Sequence, residues 1–510
     1  NALYTANELL HGQLLSYRHG GKFTPVEVSE LIIQCAPLLE AFIAELFGVE
    51  AAVNELQAFT LSNDPVFAFK KYYVLRQARR AVKKSQQLPS FSELDQWVTD
   101  CLTEKGLNGD DRELAVATWG QELLAAPQAN QKDIERLTAW CVAAMTQPAG
   151  QQAVKGWQIF ALPAHLDYGN LVKTVPTPDD PLGRIEGPRE QWRQRDGFRL
   201  TDQRMNERQA LGQVHYCVYC HKTDGDFCAK GFPVKKGKPE QGLKINPLGE
   251  TLTGCPLDEK ISEMHVLKKN GYAIGALATV MIDNPMCPAT GHRICNDCMK
   301  GCIYQKQEPV NIPQIETKTL TDVLELPWGV EIYDLLTRWN PLRCDQFCAK
   351  PYNGKKVLIM GMGPAGFTLA HYLLMEGFAV VGTEGLKIEP LPQKVVAQPI
   401  YRYDDLTEHL DNRVMAGFGG VAEYGITVRW DKNFLKLIYI SLMRRPHFQV
   451  FGSVRFGGTL CVEDAWALGF DHLAVAVGAG LPSELAIPHS LAPGMRQAND
   501  FLMALQLTGA

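Results

Sequence analysis

KKVLIMGMGPAGFTLAHYLLMEGFAVVGTE, residues 355–384, changes its hydrophobic period twice within one short stretch. Residues 357–360 are a short apolar run suited to a buried parallel strand, and residues 367–375 carry apolar side chains at helical spacing before Gly377. Between them Gly361, Gly363 and Gly366 form G-x-G-x-x-G, with Pro364 and Ala365 at the helix start. The three glycines have separate jobs: a tight turn, room for backbone to approach a pyrophosphate, and close packing of helix on strand. The amides of the helix start then face the negative phosphates. Glu384, eighteen residues past Gly366, is where an acidic side chain accepts from a ribose hydroxyl. The sequence therefore predicts strand, turn, helix and strand, the opening of a Rossmann-type dinucleotide-binding domain over residues 354–510. The motif by itself does not choose between FAD and NAD.

Upstream, eight of the fourteen cysteines crowd between Cys217 and Cys302. Their order is C-x2-C-x7-C-x26-C-P, then C-P-x6-C-x2-C-x3-C, formed by Cys217, Cys220, Cys228 and Cys255, then Cys287, Cys295, Cys298 and Cys302. Three chemistries use thiols in this way: disulfides, zinc sites and iron–sulfur clusters. A chain of 510 residues has core enough to need no staple, and clustering in the reducing compartment expected for it favours metal over disulfide. Eight thiolates make two complete sets of four, and both Cys₄ zinc and [4Fe–4S] sites take four. The displaced Cys255-Pro256 fits the crossed ligation of two-cluster ferredoxins, which a zinc ribbon does not need. Cys344 and Cys348, at i, i+4, are read as buried or unliganded thiols.

The remaining chain sets the domain plan. Residues 1–190 show helical apolar spacing in VEVSELIIQCAPLLEAFIAELF and DIERLTAWCVAAM, and form a helical domain of unassigned role whose Trp and Leu residues are core. A Pro-, Asp- and Arg-rich stretch, VPTPDDPLGRIEGPREQWRQRD, marks the boundary to a cysteine-bearing α-helical domain at 191–316. Residues 317–353 are expected to be a connector. The fold class is thus multidomain, α plus α/β. A net charge of −5 and 21% charged residues give no basic field for nucleic acid. No apolar run reaches the ~18–20 residues of a membrane span, and a cytoplasmic location is expected.

The segments NERQALGQVHYCVYCHKTDGDFC, GCPLDEKISEMHVLKKNGYAIGALATVMIDNPMCPATGHRICNDCMKGC and EPVNIPQIE resemble the N-terminal iron–sulfur domain of the glutamate synthase small-subunit family, shared with dihydropyrimidine dehydrogenase. The resemblance covers about residues 195–316. It implies a helical two-cluster, ferredoxin-like domain before an FAD-binding domain of the pyridine nucleotide–disulfide oxidoreductase type. It further implies that Cys217, Cys220, Cys228 and Cys302 hold one [4Fe–4S] cluster and Cys255, Cys287, Cys295 and Cys298 the other. The gaps after Cys220 and Cys228 are longer than the family's, the second filled by KGFPVKKGKPEQGLKINPLGETLTG.

GFGGVAEYGITVRWDKNF and DHLAVAVGAGLPSELAIPHS resemble the family's flavin-side elements, implying FAD contacts from Gly419, Gly420, Tyr424, Gly425, Gly478 and Gly480. The family's NAD(P)H-binding insertion would begin where ANDFLMALQLTGA ends the sequence. The expectation is a fragment of a longer polypeptide, or a chain that meets NAD(P)H through another domain or subunit. The implied activity is a flavin and iron–sulfur oxidoreductase relaying electrons between NAD(P)H, FAD, two [4Fe–4S] clusters and a redox partner protein or substrate, with no catalytic acid or base. The alternative is a zinc-stabilised, dinucleotide-binding scaffold or regulatory protein without redox activity.

Overall fold

A computed structural model describes residues 5–83, 88–189, 192, 200, 203–223, 225–291, 295–410, 417–419, 431–479, 483–498, 500, 501 and 504. It opens with α1 (Glu8–Arg18), α2 (Pro25–Phe47) and α3 (Glu50–Leu61). Helix α2 starts where it does because Thr24 and Glu27 close a reciprocal capping box ahead of Pro25, and it stops at Gly48, whose φ of 65° ends the helix in the left-handed region. The next helices, including α4 (Phe91–Glu104), α5 (Arg112–Ala125) and α6 (Gln131–Thr146), build a core of their own around Phe67, Trp119, Leu137 and Trp140.

The helices of the first 61 residues belong to a different core. Leu31, Ile32 and Ile43 of α2 pack into one continuous apolar body with Met264, Leu277, Ile315, Phe367 and Ile438. Buried polar bonds fix this union: Ser29 Oγ donates to Glu263 at 2.5 Å, Thr60 Oγ1 to Glu207 at 2.8 Å, and Gly275 N to Glu40 at 3.0 Å. Glu207 also meets the fully buried Lys268 at 2.7 Å, which reaches Asp322 at 2.5 Å.

The cysteine-bearing part is built on α7 (Glu207–Tyr216), α8 (Ile261–Lys269) and α9 (Ala273–Asp283). A capping box between Asn206 and Gln209 starts α7, and the helix ends at Cys217. The stretch expected as a connector, 317–353, is largely helical and buried. It begins inside α10 (Ile312–Leu324) and continues through α11 (Gly329–Arg338), whose apolar faces join the main core. Helical spacing in IPQIETKTLTDVL carries this, so the connector expectation for 317–353 does not hold over these helices.

The nucleotide-type fold follows as β1 (Lys356–Met360), α12 (Pro364–Met375), β2 (Ala379–Thr383), α13 (Asn433–Met443), β3 (Phe448–Phe451) and β4 (His472–Val475). Among the described residues these strands form one parallel sheet in the order β3-β2-β1-β4. The register pairs Lys356 with Ala379, Met360 with Thr383, Val357 with His472 and Val380 with Phe448. Val357 to Met360 of the central strand are all buried, which explains the continuous apolar run in place of an alternating one.

Candidate functional site

Gly361 leaves β1 with φ of 96°, and a Cβ there would strike the carbonyl of Ala476, just beyond β4. Gly366 lies on the first turn of α12 so close to the Gly361 carbonyl that a side chain has no room. Gly363 is the N-cap of α12 and no side chain caps the helix, while Pro364 and Ala365 are exposed at its mouth. A twelve-residue helix thus presents free N-terminal amides beyond the sheet's carboxyl edge, where an anion is stabilised. Glu384 holds the turn: its carboxylate accepts from Met362 N at 3.0 Å and Leu386 N at 3.3 Å. Each oxygen retains lone-pair capacity for a ribose hydroxyl.

Two other segments meet this turn. Gly419, φ 80°, backs directly onto the Gly363 backbone, and the Phe418 ring beside it lies tilted against Phe367 of α12 and edge-on to Tyr439 of α13. Gly478, φ 69°, follows β4 with open space around it. Gly361, Gly363, Gly366, Glu384, Gly419 and the segment leading to Gly478 therefore share one edge of the sheet. Gly420, Tyr424, Gly425 and Gly480 lie outside the described residues.

The cysteines gather into two neighbourhoods. Cys217, just past α7, Cys220 in the next turn, Cys228 on the short helix Phe227–Lys230, and Cys302, which ends Asp297–Gly301, together line one cavity. Its volume is about 20 Å³, a little more than one water needs, and its other walls include Val218, Ile303, Val310, Ile312, Ser262 and His265. Burial pushes the Cys217 thiol up to about 12 and Cys220 to about 11, and raises Cys228 well above the usual thiol range. Opposing this, Tyr219 N donates to Cys217 Sγ at 3.4 Å, and the amides of Tyr304 and Val310 favour the Cys302 thiolate. Sulfurs supplied with backbone N–H donors in a mostly apolar pocket suit an anionic thiolate once a cation offsets the burial. The four residues fit a thiolate-ligated metal group.

Cys255, Cys287, Cys295 and Cys298 are all acted on by the charges of two buried carboxyls, Glu259 and Glu316. Burial pushes Glu259 up to about 7, and burial together with Glu259 raises Glu316 well above the carboxylate range. Asn284 Nδ2 donates to Glu316 at 3.4 Å and to Thr290 at 2.8 Å. The N–H groups of Leu257 and Glu259 serve Cys255, and that of Asp297 serves Cys295. Cys295 is exposed and Cys287 buried; residues 292–294, between them, lie outside the described residues. Among the described residues no three His, Cys, Asp or Glu side chains form a ready site for a single ion.

The two neighbourhoods touch through backbone. Cys255 N donates to Cys228 O at 2.8 Å, and Gly301 packs on the Phe227 carbonyl. The short helix Cys287–Thr290 packs against α13, which connects the second set to the Phe418 contact at the glycine turn.

Comparison with known proteins bears on this arrangement. A family model described as the RP005 N-terminal alpha-helical domain matches residues 1–48. The chain is 49% identical over 225 residues to the uncharacterized protein RP006 of Rickettsia prowazekii (strain Madrid E), covering 44% of this chain and 32% of that one. It is 28% identical over 283 residues to the uncharacterized protein RP005 of the same organism, covering 52% and 89%. To the glutamate synthase [NADPH] small chain of Mycobacterium tuberculosis (strain CDC 1551 / Oshkosh) it is 25% identical over 251 residues, 49% of this chain and 42% of that one. The chain is distantly similar to glutamate synthase. It spans about a third of RP006 and under half of the glutamate synthase small chain.

Ser262 and His265 line the first cysteine cavity and Glu259 and Glu316 act on the second set, although nothing in their sequence spacing singles them out. They lie on helices or caps with ordinary spacing, and only the three-dimensional packing brings them to the thiols. Cys344 is half-buried, its thiol facing Tyr17 O at 3.4 Å, and Cys348 is exposed. In the basic segment 235–244, Lys235, Lys236 and Lys238 are exposed, Lys236 donating to the Thr223 carbonyl, and the half-buried Lys244 lies over the Phe232 ring at 4.3 Å. Among the described residues no helix is long and apolar enough to cross a membrane.

Proposed function

We propose that this chain is an electron-relay module of a flavin and iron–sulfur oxidoreductase. In this reading Cys217, Cys220, Cys228 and Cys302 ligate one [4Fe–4S] cluster and Cys255, Cys287, Cys295 and Cys298 the second. The glycine turn at 361–366, with Glu384, Gly419 and Gly478, takes FAD. When bound, these groups supply the conversion between a two-electron donor such as NAD(P)H and single electrons for an acceptor. A further domain or subunit would hold NAD(P)H, and a redox partner protein or substrate would take the electrons.

The observation that carries the proposal is the convergence of four cysteines, up to 85 positions apart in sequence, on one buried cavity, with a second set of four joined to it through backbone. The protein's own contribution is positional. Backbone amides donate towards the sulfurs and partly offset the cost of burying a thiolate, mostly apolar walls line the cavity, and helix α12 would orient a pyrophosphate. The distant similarity to the glutamate synthase small chain supports the same assignment.

Anaerobically purified chain reduced with dithionite should lose flavin absorbance and the broad band near ~400 nm typical of such clusters, and should give two overlapping paramagnetic signals at low temperature. A colourless protein carrying zinc at both cysteine sets would replace this account with that of a non-redox nucleotide-binding scaffold.

A further inference from the structure

His265 sits on α8 with 1% of its surface exposed, and lines the cavity of Cys217, Cys220, Cys228 and Cys302. Neither of its ring nitrogens has a hydrogen-bond partner among the described residues. Of the polar groups near it, Ser262 Oγ pairs with His221 Nδ1 at 2.5 Å and Glu263 Oε1 takes the Ser29 hydroxyl, while His221 Nε2 and Glu263 Oε2 have no hydrogen-bond partner among the described residues. The rest of the cavity wall is the four cysteines with Val218, Ile303, Tyr304, Val310 and Ile312. A neutral imidazole always carries one N–H, and a buried donor without an acceptor is disfavoured. Histidine placed here calls for an acceptor inside the cavity.

Four thiolates already complete the ligand set, so the ring is not needed as a ligand. A cluster in that cavity, however, presents sulfur acceptors and gains negative charge on reduction. We infer that His265 is a tuning residue, donating its ring N–H to the group held by Cys217, Cys220, Cys228 and Cys302 and raising that group's reduction potential. The inference rests on the iron–sulfur assignment above. Its direction follows from charge: a donor stabilises the more negative, reduced state more than the oxidised one.

The test uses the full chain purified without oxygen, as wild type, His265→Leu and His265→Gln. Iron and labile sulfide are measured first, and midpoint potentials follow by redox titration with paramagnetic detection. His265→Leu should keep wild-type iron and sulfide while its reduction equilibrium constant falls at least tenfold, about 59 mV for one electron. His265→Gln, which keeps an N–H, should recover part of the shift. Histidine labelled with ¹⁵N should show hyperfine coupling to the reduced cluster in wild type, absent from His265→Leu. An unchanged potential with the cluster intact overturns the inference, as does the absence of histidine coupling in wild type, a measurement that stands even if the leucine variant does not fold. Loss of iron from both variants overturns it too, making His265 a ligand or a structural support. Wild type without iron and sulfide would instead remove the assignment beneath it.

Discussion

Gly361→Ala separates two costs that the structure places at one atom. The first is conformational: at φ of 96° an L-residue sits outside its favoured regions, which costs about 1–2 kcal/mol. The second is steric. The added Cβ meets the Ala476 carbonyl oxygen, and lies 2.7 Å from its carbon and 3.0 Å from Val477 Cα, all backbone at the end of β4. Relief requires shifting β4 against β1, a strain typical of overpacking at about 1–3 kcal/mol. Gly457→Ala is the matched control, since Gly457 has φ of 83° with nothing within 4 Å and incurs only the first cost. The steric excess falls on the turn that would hold the pyrophosphate. At about 1.4 kcal/mol per decade, it should weaken FAD binding by roughly ten- to a hundredfold. Apo-chain is titrated with FAD by fluorescence quenching, and denaturant midpoints are taken in parallel. If Gly361→Ala binds FAD as tightly as Gly457→Ala, the turn has no role in flavin binding.

Cys298→Ser should lower iron and labile sulfide by about half, because one four-thiolate set is broken while the other remains; unchanged metal content would remove Cys298 from the ligands. Lys268→Met leaves Glu207 and Asp322 buried with Lys318 as their remaining cation, and should destabilise the chain by about 3–5 kcal/mol in chemical denaturation. A midpoint equal to wild type would show the network to be dispensable. Burial pushes the Glu40 carboxyl up to about 7, above its ordinary 4.5, so the folded state binds that proton more tightly. The associated stability is full below pH 4.5 and is lost as pH rises through about 7, on the order of 3 kcal/mol. Glu40→Gln should flatten that part of the stability–pH profile and exceed wild type at pH 8; a profile identical to wild type would refute the assignment.

The nucleotide turn was legible because each of its parts is local. A buried strand, a left-handed glycine and an uncapped helix start are dictated within a few residues, and Glu384 follows at a fixed distance. The structure adds what spacing could not show, namely that Glu384 braces the turn through Met362 N. The division of the cysteines came from resemblance, and only packing shows that Cys302 lines one cavity with Cys217, Cys220 and Cys228. His265 and the Glu259–Glu316 pair were invisible for the same reason, since their neighbours come from segments remote in sequence. The helices within residues 317–338 were missed by reading 317–353 as a connector, although the second half of α10 and all of α11 lie there. The helical patterns of the first 190 residues were plain, but they could not tell that α1 to α3 share the core of the cysteine sites while α4 to α6 build another.

The central claim is that the eight clustered thiols hold iron and sulfide beside a flavin site. Quantitative iron, acid-labile sulfide, zinc and FAD analysis of the full chain, purified without oxygen, tests it most directly. The account predicts about eight irons, about eight sulfides and one FAD per chain, with no stoichiometric zinc. Zinc at about two per chain with no labile sulfide would contradict it.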